Sequence, residues 1–167
     1  WGADIGNAYL EAKTKEEVYT TAGLAFAALF WHVLLVSKAL YGLKTSGKRW
    51  HKKFEEVMRD MNFKQCKADL DVWMRPTKDE RCYEYVATYV DDLMIAMDDP
   101  ARFCKILKEK YKFKLKGDGP IDFHLGMNYE RDKDGTLITQ PTKYIDKILQ
   151  SYVNAFGEEP KLAKTPL

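Results

Sequence analysis

The run Tyr85-Val86-Ala87-Thr88-Tyr89-Val90-Asp91-Asp92-Leu93-Met94-Ile95-Ala96-Met97 decides the fold. Apolar arms of strand length flank a polar break, so the run reads as strand, tight turn, strand with two carboxylates at the tip. Adjacent carboxylates repel one another and gain most by sharing a divalent cation, and oxygen-only ligation favours magnesium. Asp-Asp is also ordinary turn chemistry. The pair acquires a function only from its surroundings.

Working outward toward the N-terminus, Thr45-Ser46-Gly47 precedes Trp50, Phe54, Val57, Met58 and Met61, which recur at helical spacing. The opening turns of that helix carry Lys48, Arg49, His51, Lys52 and Lys53, a basic cluster that is otherwise a solvated helix face. Ala3-Asp4-Ile5 reads as the end of a strand, with Gly6-Asn7 as a turn. The stretch from Ala22 to Val36 is almost wholly apolar, yet shorter than the roughly 20 residues of a bilayer span. It reads as core or as a damaged loop.

Toward the C-terminus, Asp98-Asp99-Pro100 supplies a helix cap and a first-turn proline, and Phe103, Ile106, Leu107 and Tyr111 give that helix a buried stripe. Alternating lysines from Lys110 to Lys116 predict an extended segment. Phe123 to Arg131 predicts a strand returning through Asp134-Gly135 into Thr136 to Thr139. A last helix has Tyr144, Ile145, Ile148, Leu149, Tyr152, Val153 and Phe156 at helical spacing, read as core. Asp71 to Arg75 supplies one more strand. The order strand, helix, paired strands, helix, hairpin, helix predicts an α+β fold, an antiparallel sheet of split βαβ type with helices on one face. In such a sheet Asp4 lies on the strand beside the Asp91-Asp92 hairpin.

A chain of 167 residues that is 46% hydrophobic buries a real core and reads as one continuous unit. A formal charge of +2 means that any affinity for nucleic acid comes from local clusters of cations. Cys66, Cys82 and Cys104 are odd in number and lack metal-type spacing, which argues against a disulfide framework or zinc site and suits an intracellular setting.

With these motifs in order, the chain resembles the reverse transcriptases of Ty1/copia-type long-terminal-repeat retrotransposons. The likeness is carried by Ala3-Asp4-Ile5-Gly6-Asn7-Ala8-Tyr9-Leu10, Lys38-Ala39-Leu40-Tyr41-Gly42-Leu43-Lys44, Tyr89-Val90-Asp91-Asp92, Phe123-His124-Leu125-Gly126 and Lys164-Thr165-Pro166-Leu167. The resemblance implies a polymerase palm over residues 1–167, with part of the fingers and the start of the thumb, truncated at both ends. It implies RNA-directed DNA synthesis by two-metal transfer of a nucleotide from a dNTP to a primer 3′-hydroxyl. Asp4, Asp91 and Asp92 would hold two Mg2+ ions, or Mn2+, with the Ile5 carbonyl completing one shell. Asn7, Ala8, Tyr9, Tyr41 and Gly42 would bind the nucleotide, Tyr9 as the sugar gate. Lys48, Arg49, Lys52 and the stretch Phe123, Leu125, Gly126 and Met127 would meet primer and template. The implied partners are an RNA or DNA template with its primer, dNTPs, and the integrase and ribonuclease H of a polyprotein, with no membrane. The implied setting is cytoplasmic and virus-like-particle associated, with nuclear access for integration.

One departure stands out. Where the family pattern calls for a polar loop with glycine and proline, this chain has Gly23-Leu24-Ala25-Phe26-Ala27-Ala28-Leu29-Phe30-Trp31. The competing expectation is therefore a catalytically inactive, transposon-derived relic that keeps the fold and weak nucleic-acid binding. A third reading, a split-βαβ RNA-binding module, wants exposed aromatics on the central strands, whereas acids occupy the hairpin tip.

Overall fold

Strands β1 (Gly2–Ile5), β4 (Lys64–Gln65), β5 (Val72–Pro76), β6 (Tyr83–Tyr89), β7 (Asp92–Ala96) and β8 (Leu115–Gly119) form one sheet in the order β4-β5-β6-β7-β1-β8. Each of its pairings is antiparallel. The structure is a computed structural model and describes residues 1–161, so Lys164-Thr165-Pro166-Leu167 lies outside the described residues.

Register explains which face is covered. Ala3 pairs with Leu93, Val86 with Ile95, and Trp73 with Val86, and these residues, together with Ile5, are buried. Helices α1 (Ser46–Asp60) and α2 (Pro100–Glu109) lie on that face. Trp50, Phe54, Val57 and Met58 from α1 and Phe103, Cys104 and Leu107 from α2 join the strand residues in a single cluster. Each large side chain buried there contributes ~1.5–3 kcal/mol. The expected stripes on both helices are thus the core, and Asp99 caps α2 by accepting from the Arg102 N–H at 2.9 Å, with Pro100 in the first turn. This is a mixed α+β fold with an antiparallel sheet and packed helices.

Contacts divide the chain into two compact units, Trp1–Gly119 and the segment from Pro120 onward. The second contains β9 (Phe123–His124), β10 (Met127–Arg131), β11 (Leu137–Gln140) and α3 (Thr142–Phe156), with the strands in the order β11-β10-β9.

Four expectations are corrected. Phe123 to Arg131 is not one strand: Leu125 and Gly126 both have positive φ, 48° and 84°, and turn the chain back so that His124 pairs with Met127. Two central residues with positive φ are the requirement of a two-residue hairpin loop, and Gly126 takes that conformation at no steric cost. Lys110 to Lys116 is not one extended segment, because Lys112 adopts φ 62° and Phe113 turns into the core. The apolar stripe of α3 is not core: Tyr144, Ile145, Ile148, Leu149 and Phe156 are exposed. A three-stranded sheet with one helix has too little surface to cover them.

Of the two expectations for the stretch from Ala22 to Val36, core or a damaged loop, the core one fails, since beyond the buried Ala22 its residues are half-buried or exposed. The stretch supplies the 3₁₀ segment Leu24–Leu29 and β3 (Val33–Leu35), which pairs with the preceding β2 (Tyr19–Thr21) in a two-strand ribbon. Leu24 is 82% and Trp31 73% exposed. Ala27 breaks the segment with φ 46°. Among the described residues no helix is long and apolar enough to cross a membrane.

Candidate nucleotidyl-transfer site

β1 and β7 bring the carboxylates to one end of the sheet. Asp4 pairs in register with Asp92, and the Ile5 N–H donates to the Asp91 carbonyl at 2.8 Å. Because Ala3, Ile5, Leu93 and Ile95 point into the core, the alternating positions Asp4 and Asp92 face away from the helices. Asp4, Asp91 and Asp92 are half-buried. Among the described residues, however, no group of three or more His, Cys, Asp or Glu side chains is placed to hold a metal ion. The oxygen donors suit magnesium in kind, but the three carboxylates fall short of a three-ligand set.

The turn that carries the acids is unusual. Val90 has φ 58°, a conformation disfavoured for a β-branched residue. The indole Nε1 of Trp50 donates to the Val90 carbonyl at 2.6 Å, so α1 clamps the turn from beneath. Helical phasing marks Trp50 as buried but carries no sign of this bond.

Gly6 and Asn7 lead out of β1. A Cβ on Gly6 would lie 3.1 Å from Lys116 Cε and 3.2 Å from the Lys114 carbonyl, so the close approach of these segments favours glycine. Asn7 is exposed with φ 57°, and Ala8 is buried at the start of the 3₁₀ turn Ala8–Glu11. Tyr9, half-buried against the core, stacks on Tyr41 with centroids 4.4 Å apart. The Tyr41 phenol is pushed above its ordinary range by desolvation of the hydroxyl, then by the charges of Asp91, Tyr9 and Asp4, with a hydrogen bond to the Tyr9 backbone opposing. Both Asp91 and Asp4 are therefore near Tyr41. Ser46, buried at the start of α1, donates to the Leu40 carbonyl at 2.5 Å and fixes the segment bearing Tyr41 and the exposed Gly42.

On α1, Lys48 and Lys52 are exposed and Arg49 is half-buried. His51 meets Asp71 at 3.1 Å, a pair that sequence spacing does not reveal. Asp98 and Asp99 follow β7 at its far end from Asp92, at the start of α2. Within the second unit, Phe123 is exposed beneath Lys143, whose Nζ lies 4.3 Å from the ring centroid. Leu125 and Gly126 form the exposed hairpin turn, and Met127 is half-buried.

Tyr83, Tyr85 and Tyr89 are exposed, and Tyr85 and Tyr89 pair in register with Ala96 and Asp92 on the face away from the helices. The central sheet thus does carry exposed aromatics beside the acids.

The antiparallel sheet thus sets Asp4 beside Asp92 at the end of the β6–β7 hairpin, in the same unit as the stacked Tyr9–Tyr41 pair. The chain belongs to the reverse transcriptase (RNA-dependent DNA polymerase) family, whose model matches residues 2–161. It is 29% identical over 168 residues to the retrovirus-related Pol polyprotein from transposon TNT 1-94 of Nicotiana tabacum, covering 98% of this chain and 12% of that protein. It is 26% identical to the putative transposon Ty5-1 protein of Saccharomyces cerevisiae, covering 98% of this chain and 53% of that protein. Against the transposon Ty1-DR1 Gag-Pol polyprotein of the same yeast it is 30% identical over 78% of this chain and 8% of the relative. The chain thus spans between about a tenth and about half the length of these relatives. No solved structure matches it.

Proposed function

We propose that this chain is a copia-type reverse transcriptase palm that retains the fold and binds nucleic acid weakly but does not polymerise as it stands. The observation that carries this reading is the carboxylate arrangement: Asp4, Asp91 and Asp92 share one end of the sheet without forming a three-ligand group. The exposed apolar segment from Leu24 to Trp31 supports it, because it adds aggregation-prone surface to the first unit. Nucleic-acid binding is supported by the exposed Tyr83, Tyr85 and Tyr89, since base stacking on aromatic rings is tolerant of sequence. Primer extension on an RNA template with Mg2+ or Mn2+, run beside a binding assay, tests the proposal. Weak binding without extension is expected, and processive synthesis by the chain would overturn it.

The second reading is an RNA-directed DNA polymerase, and the Asp4–Asp92 register with Tyr41 alongside favours it. In that reading Asp4, Asp91, Asp92 and the Ile5 carbonyl would be the groups to hold two magnesium ions, and the chemistry those ions would supply is offsetting of the negative charge of phosphoryl transfer. Tyr9 would exclude a ribose 2′-hydroxyl by clash, which need not strengthen deoxynucleotide binding. Primer and template would lie along Lys48, Arg49 and Lys52, with Phe123, Leu125, Gly126 and Met127 gripping the primer. If extension is detected, Asp91→Asn should nearly abolish it. Tyr9→Ala should then raise ribonucleotide incorporation much more than it alters deoxynucleotide use.

A further inference from the structure

We propose that the β2–β3 ribbon is a self-association surface: the free edge of β3 pairs with the same edge of a second copy of this chain, giving a four-stranded antiparallel sheet about a two-fold axis. Such pairing needs neither nucleic acid nor the carboxylates. The ladder itself shows which backbone groups are free. The Val36 N–H donates to the Val18 carbonyl and the Ala22 N–H to the His32 carbonyl, each at 2.8 Å. Bonded and unbonded pairs alternate along an antiparallel ladder, so Thr20–Leu34 is a bonded pair, whereas Tyr19–Leu35 and Thr21–Val33 are not. The N–H and C=O groups of Val33 and Leu35 therefore point away from β2, where no further strand lies among the described residues. The side chains of these two residues share a face with Tyr19, and Val33 is 70% and Leu35 59% exposed.

A second copy satisfies this edge. With the axis at Leu34, Val33 stands opposite Leu35 of the second copy and Leu35 opposite its Val33, so each outward donor meets an outward acceptor. Charge does not oppose the approach, because the run from Val18 to Ser37, the longest of its kind in the chain, holds no Asp, Glu, Lys or Arg. Lys38 is the first charge beyond β3, and its two copies would stand roughly 26 Å apart by strand rise, beyond the reach of screened repulsion. The other free edges are blunted in the ways that discourage pairing. β4 has two residues, one of them Lys64. β8 carries Lys116 and Asp118 and has an irregular register with β1. β11 is uncharged, but Pro141 closes one end and the charged turn from Asp132 to Asp134 the other. β2 and β3 pack mainly on each other, and a two-stranded ribbon is marginal until more strands join it.

Sedimentation velocity of the full chain over a concentration series, without nucleic acid, tests the pairing. A reversible monomer–dimer equilibrium is expected. Leu35→Pro removes an outward N–H that the ribbon does not use and should weaken the dimer about tenfold, since the two-fold axis doubles the loss. Thr21→Pro makes the same change on the β2 edge and should leave the dimer intact. Val33→Lys and Val33→Glu keep every backbone donor, so they test the edge even if the proline variant fails to fold. Across the axis the two copies of residue 33 are diagonal neighbours, about 7–8 Å apart. Each of these variants alone should therefore dimerise weakly, and an equimolar mixture of the two should dimerise more tightly than either. A mixture no tighter than its components would overturn this register. Loss of the dimer in Thr21→Pro but not in Leu35→Pro would overturn the choice of edge. A chain that stays monomeric at every concentration, or that grows past the dimer without limit, would overturn the two-fold pairing itself.

Discussion

Val90 shows how a single residue can be wrong for its turn and still be held there. Its φ of 58° is the left-handed conformation that glycine takes freely and L side chains resist, at roughly 1–2 kcal/mol. The Trp50 bond to its carbonyl helps to hold that conformation against the steric preference of the side chain. Val90→Gly relieves the steric term and gives back part of it as unfolded-chain entropy, so a net gain of up to ~1 kcal/mol is expected in denaturant unfolding. A loss would show that the valine side chain contributes more packing than its exposed position indicates. Tyr41 offers a readout of the carboxylates themselves. Its raised pKa owes part of the shift to Asp91 and part to Asp4, so Asp91→Asn should lower the phenol pKa in an NMR or absorbance titration, and Asp4→Asn should do so less. If neither moves it, the carboxylates are not gathered around that hydroxyl. The motif residues were legible in sequence, but the bonds among them were not. Trp50 reaches a carbonyl 40 residues along the chain, at Val90, and Ser46 reaches back six residues across a turn to the Leu40 carbonyl, and helical periodicity reports neither.

Elements were legible where periodicity and burial agree. α1, α2 and the β6–β7 hairpin have strong periodicity and contribute to one core, so pattern and packing give the same answer. They fail to coincide in α3, whose stripe has helical spacing yet is exposed, and in the Ala22 to Val36 stretch, where hydrophobicity alone suggested burial. Apolar content states what a segment gains by being covered; it does not supply a neighbour to cover it. The ends of α1 and α2 illustrate a link between elements that sequence hides. Asp60 accepts from Lys110 Nζ at 2.7 Å and from the Tyr111 hydroxyl, which hold its carboxyl below the usual range, Lys110 foremost; the bond to Asp60 in turn raises Lys110. A depressed carboxylate contributes stability that is present above its unfolded value near 3.8 and lost as pH falls through the folded value. A raised lysine contributes stability that is present below its unfolded value near 10.5 and lost as pH rises through the folded one. The melting temperature of Asp60→Asn should therefore fall slightly below that of the parent across neutral pH and converge with it in acid, below the depressed value. A gap that persists unchanged at low pH would assign the effect to packing instead of charge. Because the group is exposed, the gap should be small.

At the scale of the whole molecule, stability is distributed unevenly. The hydrophobic cluster draws its residues from positions 3 to 113, so the six-stranded sheet with α1 and α2 has a continuous interior of its own. Within the segment from Pro120, α3 has no buried residue, and β9, β10 and β11 carry half-buried or exposed side chains. Amides open locally with free energies that follow the burial around them. Native-state hydrogen exchange on the full chain should therefore find the slowest amides in β1, β6, β7 and the middle of α1 and α2, in the neighbourhood of Ile5, Val86, Ile95, Met58 and Leu107. The amides of α3 should exchange faster by orders of magnitude despite intact helical hydrogen bonds, because opening that helix exposes little new apolar surface. Protection in α3 equal to that in α2 would mean that its apolar stripe is covered in solution. In that case the run Tyr144, Ile145, Ile148 and Leu149, exposed in the structure, would be covered in solution, as the core reading of its helical spacing expects.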